Sequence, residues 1–191
     1  GSLTDNLWIG LIAAAIASAL LSMSLASLAI KYLVDQIIIG VLINVLVIGV
    51  TNFLYSQWLA SDGENANFPG TFDIVKIPLL SDIPIIGPLI FGHDPITYVT
   101  WLIVISASAY MFRTRPGLTL RAVGDDPATV DSQGLPVAAI RFGYTMAGGA
   151  LMGLAGGWFM LARSAAWQQQ ATTNGIGWIA LGLVVFAGWH P

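Results

Sequence analysis

The side chains able to do chemistry in this chain are few, and most of them are neutral. Asn44, Thr51, Asn52 and Gln57 stand within one uncharged apolar run. An amide at that depth is costly unless hydrogen-bonded, so it faces either a neighbouring helix or a water-filled path. Asn44 and Asn52 lie little more than two helical turns apart and share a face. A second neutral cluster, Trp167-Gln168-Gln169-Gln170, sets an aromatic plane beside amide donors and acceptors. Such a set can stack on a ring while bonding hydroxyls, or be an interfacial Trp beside solvated glutamines. Asn44, Asn52, Trp167 and Gln168 are therefore candidates for a solute path. Covalent and metal chemistry have no comparable support. The chain contains no cysteine, which removes thiolate ligands and thiol nucleophiles. Its two histidines, His93 and His190, have no second ligand at metal spacing. No nucleophile and base cluster, and no Walker-type glycine loop is present. No catalytic residue, metal or cofactor is expected in this chain.

The elements that position these residues must sit in lipid. Of the residues, 56% are hydrophobic and only 9% charged, against roughly a quarter charged in a water-facing domain. Mean hydropathy is +0.78. The pattern predicts an all-α fold, a polytopic transmembrane helical bundle forming one domain over residues 1–191. Spans are expected at about 8–30, 36–61, 95–112 and 142–162, each near the ~20 residues that cross hydrocarbon. The apolar run 176–189 is too short to cross unaided, so a partial or re-entrant helix, or a severed span, is expected there. Residues 62–94 hold Asp62, Glu64, Asp73, Asp82 and Asp94 with Pro69, Pro78, Pro84 and Pro88, an irregular outer loop. Residues 113–141 form a polar, arginine-bearing connection. The formal charge of -3 and the lack of a basic stripe argue against nucleic acid. The start at Gly1 without Met and the close on an apolar run at Pro191 are expected of a fragment lacking both ends.

Lys and Arg set orientation in membranes, and acidic residues count little. With 113–141 on the cytoplasmic side, Lys31, Arg113, Arg115, Arg121 and Arg141 lie inside, and Lys76 and Arg163 outside. That bias puts the N-terminus and 62–94 outside the cell. Small residues repeat at every fourth position in two spans: Ala14, Ser18, Ser22 and Ala26 in the first, Gly149, Gly153 and Gly157 in the fourth. Lipid gives helices no hydrophobic reason to associate, so such stripes are expected to be packing faces.

The connection from Arg115 to Pro136 carries the most information. Asp126 suits an N-cap and Pro127 the first helical position. Gly134 suits the residue after a helix, and Pro136 stops continuation. A helix of about two turns is expected between them, bounded at both ends. Such a helix is shaped to enter a groove on a soluble partner, or it is an ordinary connecting loop.

The runs Arg113-Thr114-Arg115-Pro116-Gly117-Leu118, Arg121-Ala122-Val123-Gly124-Asp125-Asp126-Pro127-Ala128 and Gly134-Leu135-Pro136-Val137 resemble the cytoplasmic loop of ABC importer permeases. The similarity is to the simple-sugar and nucleoside branch of the ribose/branched-chain amino acid permease superfamily. It continues through Ala147–Gly157 and Gly177–Phe186 and covers nearly the whole chain. It departs from the family pattern at Gly175-Ile176-Gly177, where Gly-Arg-Gly is usual, and near Gln169-Gln170, where a Glu-Asn pair is usual.

The resemblance implies a permease subunit in the prokaryotic inner membrane, working with a second permease subunit, a cytoplasmic ABC ATPase and an extracytoplasmic substrate-binding protein. ATP and Mg would be held by the ATPase, and the solute would be a nucleoside or simple sugar moved by alternating access. The 121–135 segment would be the coupling helix, with Arg121, Gly124, Asp125, Asp126, Pro127 and Gly134 as its coupling residues. An ion-coupled secondary transporter is the alternative, but such proteins place ionisable groups within their spans, and here the acidic residues fall outside them. A non-transporting structural subunit is a further alternative.

Overall fold

A computed structural model describes residues 6–58, 95–163 and 175–188. These residues are almost entirely helical and contain no strand, an all-α polytopic bundle. In chain order the helices are α1 (Leu7–Ala26), α2 (Gln36–Trp58), α3 (Pro95–Arg113), α4 (Arg115–Asp125), α5 (Pro127–Ser132), α6 (Val137–Arg163) and α7 (Ile176–Phe186). Among the described residues four stretches are long and apolar enough to cross a membrane: Leu7–Lys31, Gln36–Gln57, Pro95–Arg113 and Val137–Met160. The expected outer loop at 62–94 and the cluster at Trp167–Gln170 lie outside the described residues.

Local sequence explains where the spans begin and how they stay satisfied in lipid. The Trp8 N–H donates to the Asn6 side chain at 3.0 Å, capping α1. Asp35 does the same for α2, accepting from the N–H groups of Ile37 at 2.8 Å and Ile38 at 3.4 Å. Inside the spans, hydroxyls turn back onto their own helix. Ser27 donates to the Met23 carbonyl at 2.8 Å, Thr51 to Val47 at 2.6 Å, and Thr100 to Ile96 at 2.9 Å. Hydrocarbon offers no water to do this, so each hydroxyl must find a partner within the protein.

α1 does not stop cleanly. Ser27–Lys31 widens into a π-helical turn, the Val34 N–H reaches the Leu28 carbonyl at 3.2 Å, and Leu33 adopts φ 54°. The left-handed residue ends the helix much as a glycine would, at a steric cost of about 1 kcal/mol for a side chain with a Cβ. Beside this turn, on the same side, α6 begins at Val137, ahead of the uncharged run starting at Phe142, so Arg141 rides on the helix.

Among the described residues only α1 and α6 pack along their length; they run antiparallel. α2 meets α1 near its own start, where Ile39 is buried, and α3 packs against α4, which with α5 packs against α6. No window in the four spans is more than 11% buried. In water so much exposed leucine, isoleucine and valine would drive aggregation; in a bilayer it suits contact with lipid or with other membrane helices. α7 has 11 residues, about half of what hydrocarbon thickness requires. Its Trp178 and Phe186 are exposed.

Candidate functional site

Two arrangements stand out, one within the spans and one beyond them. Within the spans, the small residues of α1 and α6 meet. A Cβ added at Gly149 would collide with the Ser22 side chain and come to 3.1 Å from the Ser18 carbonyl oxygen. One added at Gly153 would strike the Ala14 carbonyl and lie 2.6 Å from the Ser18 Cβ. At Gly157 it would sit 3.0 Å from the Ala14 Cβ and 3.3 Å from Leu11 Cδ2. The glycines thus lie where the α1 backbone and the Ser18 and Ser22 side chains fill the space. Gly148 and Gly156, one position aside, have nothing within 4 Å of such an atom. Three successive turns of close approach make this a rigid seam built from van der Waals contact.

Beyond the spans, the chain turns a corner on leaving α3. The Thr114 hydroxyl donates to the Tyr110 carbonyl at 2.6 Å and accepts from the Gly117 N–H at 3.2 Å, closing one helix and capping the next. Gly117 is buried, and a Cβ there would meet the Tyr110 carbonyl and lie 2.7 Å from the Met111 Cα. No other residue type fits so close a backbone crossing. α4 then folds back so that the Arg121 guanidinium lies 4.9 Å from the centroid of the Phe112 ring. Its Nε is buried with no hydrogen-bond partner among the described residues. Val123 at 2% exposure and Val130 at 6% anchor α4 and α5 beneath.

The short helix expected to start at Asp126 is present, but it is one part of a pair. α5 has only 6 residues, and the 11 residues before it form a helix of their own. Arg121, Gly124 and Asp125 therefore belong to α4, Asp126 stands at the break, and Pro127 opens α5. Sequence reading missed α4 because Pro116, Gly117 and Gly124 look like loop residues; the available signal was Thr114, a capping residue two positions ahead of a proline.

Asp126 holds the break in place. Its carboxylate accepts from the Ala128 N–H at 3.1 Å and the Thr129 N–H at 3.2 Å, and from the Thr129 hydroxyl. The Thr129 hydroxyl first, and then the amides, hold the carboxyl below its ordinary pKa. Gly134 follows α5 at φ 79°, left-handed, with its N–H donating to the Asp131 carbonyl at 2.9 Å. Gly124, Asp125 and Asp126 are exposed. A hydrogen bond between the Tyr110 and Tyr144 hydroxyls, at 2.8 Å, ties the end of α3 to the first turns of α6.

The solute-path candidates are not brought together. Asn44 is exposed and Asn52 half-buried on α2, while Trp167 and Gln168 lie outside the described residues. No group of three His, Cys, Asp or Glu that could hold a metal occurs among the described residues.

Comparison with known proteins gives this geometry its context. The chain is 34% identical over 185 residues to a guanosine ABC transporter permease protein of Bacillus subtilis (strain 168), covering 96% of this chain and 57% of that one. It is 35% identical over 191 residues to a protein of Haloferax volcanii provisionally named a glucose ABC transporter permease, covering 100% of this chain and 57% of the relative. A nucleoside ABC transporter permease protein of Lactococcus lactis is 34% identical over 117 residues, 61% of this chain and 37% of its own. The chain thus spans a little over half the length of the first two relatives. No solved structure matches it. The family model described as the permease component of the branched-chain amino acid transport system matches residues 1–191, and the chain belongs to that family of membrane-spanning permeases.

Proposed function

We propose that this protein is a permease subunit of an ABC importer that moves a nucleoside or simple sugar across the prokaryotic cell membrane. Its partners would be a second permease subunit, a cytoplasmic ABC ATPase that binds ATP and Mg, and an extracytoplasmic substrate-binding protein. The family and the names of the guanosine, nucleoside and glucose relatives support the solute class. The neutrality of the polar groups within the spans agrees with an uncharged solute, Asn44 and Asn52 being candidates to bond its hydroxyls.

The observation that carries the reading is the α4–α5 corner. It is a pair of capped helices outside the spans, joined to α3 through Thr114 and Gly117 and packed against α6, while Tyr110 and Tyr144 link α3 to α6 directly. A push on α4 and α5 from an ATPase would reach two spans at once. Arg121, Gly124, Asp125, Asp126, Pro127 and Gly134 would form the coupling element, and the α1–α6 seam would move as one body. The cluster of Lys31, Arg113, Arg115, Arg121 and Arg141 at this end supports a cytoplasmic position for it.

The test is solute-stimulated ATP hydrolysis by the reconstituted full complex. Gly124 has open space around it, so Gly124→Glu leaves the fold intact while putting a charged side chain on the docking face. We expect stimulation to fall about tenfold, within the usual range of coupling between sites, with all subunits still co-purifying. Unchanged stimulation would remove the corner from the mechanism. Comparing nucleosides with pentoses and hexoses as the stimulating solute then identifies the cargo.

A further inference from the structure

We propose that the junction of α1, α2 and α6 holds the headgroup of an anionic phospholipid, a site distinct from the solute path and the coupling corner. Two adjoining open grooves, of about 510 and 320 Å³, flank the π-helical turn and share Ile30. The larger is lined by Ile30 and Leu33, by Leu120 of α4, and by Gln36 and Arg141. The smaller is lined by Lys31 beside the first turns of α6.

Three features select the ligand. First, each groove contributes one cation and no carboxylate lines either. The nearest acid in sequence, Asp35, is turned into the N-terminus of α2, where it caps Ile37 and Ile38. Among the described residues neither Lys31 nor Arg141 has an ion-pair partner, Lys31 lying 5.6 Å from the Tyr32 ring centroid. Second, the walls are aliphatic, with Leu33 at 85% exposure beside the opening. Third, the grooves lie where apolar helix meets charged terminus, the level of lipid headgroups. A phosphate flanked by two cations, with its glyceryl and acyl chains against Ile30, Leu33 and Leu120, satisfies all three. A soluble anion would use the charges and leave the aliphatic walls bare. Basic pockets between membrane helices take anionic headgroups on these grounds. The inference rests on the helices crossing a membrane and is independent of which solute is carried.

The test uses the full-length permease, purified and reconstituted in phosphatidylcholine vesicles containing a trace of photoreactive phosphatidylglycerol. Crosslinks are mapped by mass spectrometry. We expect labelling to concentrate on the peptides containing Ile30–Leu33 and Arg141. Unlabelled phosphatidylglycerol should compete about fivefold better than phosphatidylcholine, and each cation removed should weaken labelling about fivefold. Lys31→Gln with Arg141→Gln should therefore nearly abolish it, Arg141→Lys should retain most of it, and Arg115→Gln should leave it unchanged. Labelling that is spread evenly along the spans, survives the double substitution, or falls equally in Arg115→Gln would overturn the proposal. So would competition by millimolar inorganic phosphate, which points to a free anion, or loss of labelling in the assembled complex, which points to a protein cover. Labelling and solute-stimulated ATP hydrolysis are separate readouts, so either proposal can fail alone.

Discussion

The α1–α6 seam and the α4–α5 corner are both tight, yet they are held by opposite means. In the seam no charge and no cap is involved, and glycine after glycine lets one backbone lie against another. In the corner, threonine and aspartate side chains satisfy helix ends, and two valines are withdrawn from solvent. The solvents explain the difference. Lipid gives apolar side chains no reason to leave it, so only shape and dispersion hold helices together there. Water rewards burial of even a small valine, and it competes for every helix terminus, so caps matter. A substitution that adds volume should therefore hurt most in the seam, and one that removes a polar group should hurt only in the corner.

The largest effect is expected at Gly153. Replacement by Leu puts a side chain into the Ala14 carbonyl and Ser18, and since backbone cannot yield as a side-chain tip can, the cost should reach about 3 kcal/mol. Loss of folded yield in detergent and a drop in melting temperature would report it. The control is Gly156→Ala, which meets nothing and should be neutral or stabilise α6 by up to about 1 kcal/mol through helix propensity. If both variants behave alike, the seam does not hold the two spans together. Next in size, Gly117→Ala should cost about 2 kcal/mol at the corner, read as proteolytic cleavage near residues 113–117 with the seam unaffected. A matching loss of stability at Gly153 and Gly117 would mean that the two regions unfold as one.

How legible these regions were follows from the same contrast. The all-α membrane class could be read from the apolar runs because lipid demands long uncharged helices and tolerates little else. Asp126, Pro127 and Gly134 could be read as caps because helix ends in water use few residue types. The preceding helix could not. Its Pro116 and Gly117 signal a turn, and only the crossing at Tyr110 and Met111 explains why glycine sits inside a helix. The π-helical turn at Ser27–Lys31 and the left-handed Leu33 leave no trace in composition either, since they arise from how α1 ends against α6. Periodicity marked small residues on two spans, but which spans meet is a matter of tertiary placement. The solute path stayed beyond reach for a simpler reason: its amides lie apart on α2, and the rest of its candidates fall outside the described residues.

The smallest expected effect sharpens the comparison most, because it has a sign that volume cannot mimic. Asp126 caps α5 through Thr129 and Ala128, and these bonds hold its carboxyl below the ordinary value of 3.8. A lowered folded-state pKa means the cap contributes fully above about pH 4 and is lost as pH falls through the depressed folded value. Asp126→Asn keeps the hydrogen-bonding shape without the charge, so its cap should not respond to pH. Hydrogen exchange at the Ala128 and Thr129 amides reads this directly. In the parent these amides should lose protection on acidification, and in Asp126→Asn they should show no such step. The α1–α6 seam, which contains no titrating group at its contacts, should keep its protection throughout. An acid-induced loosening of the seam at the same pH would show that the corner governs the spans, and the two regions would have to be treated as a single mechanical unit.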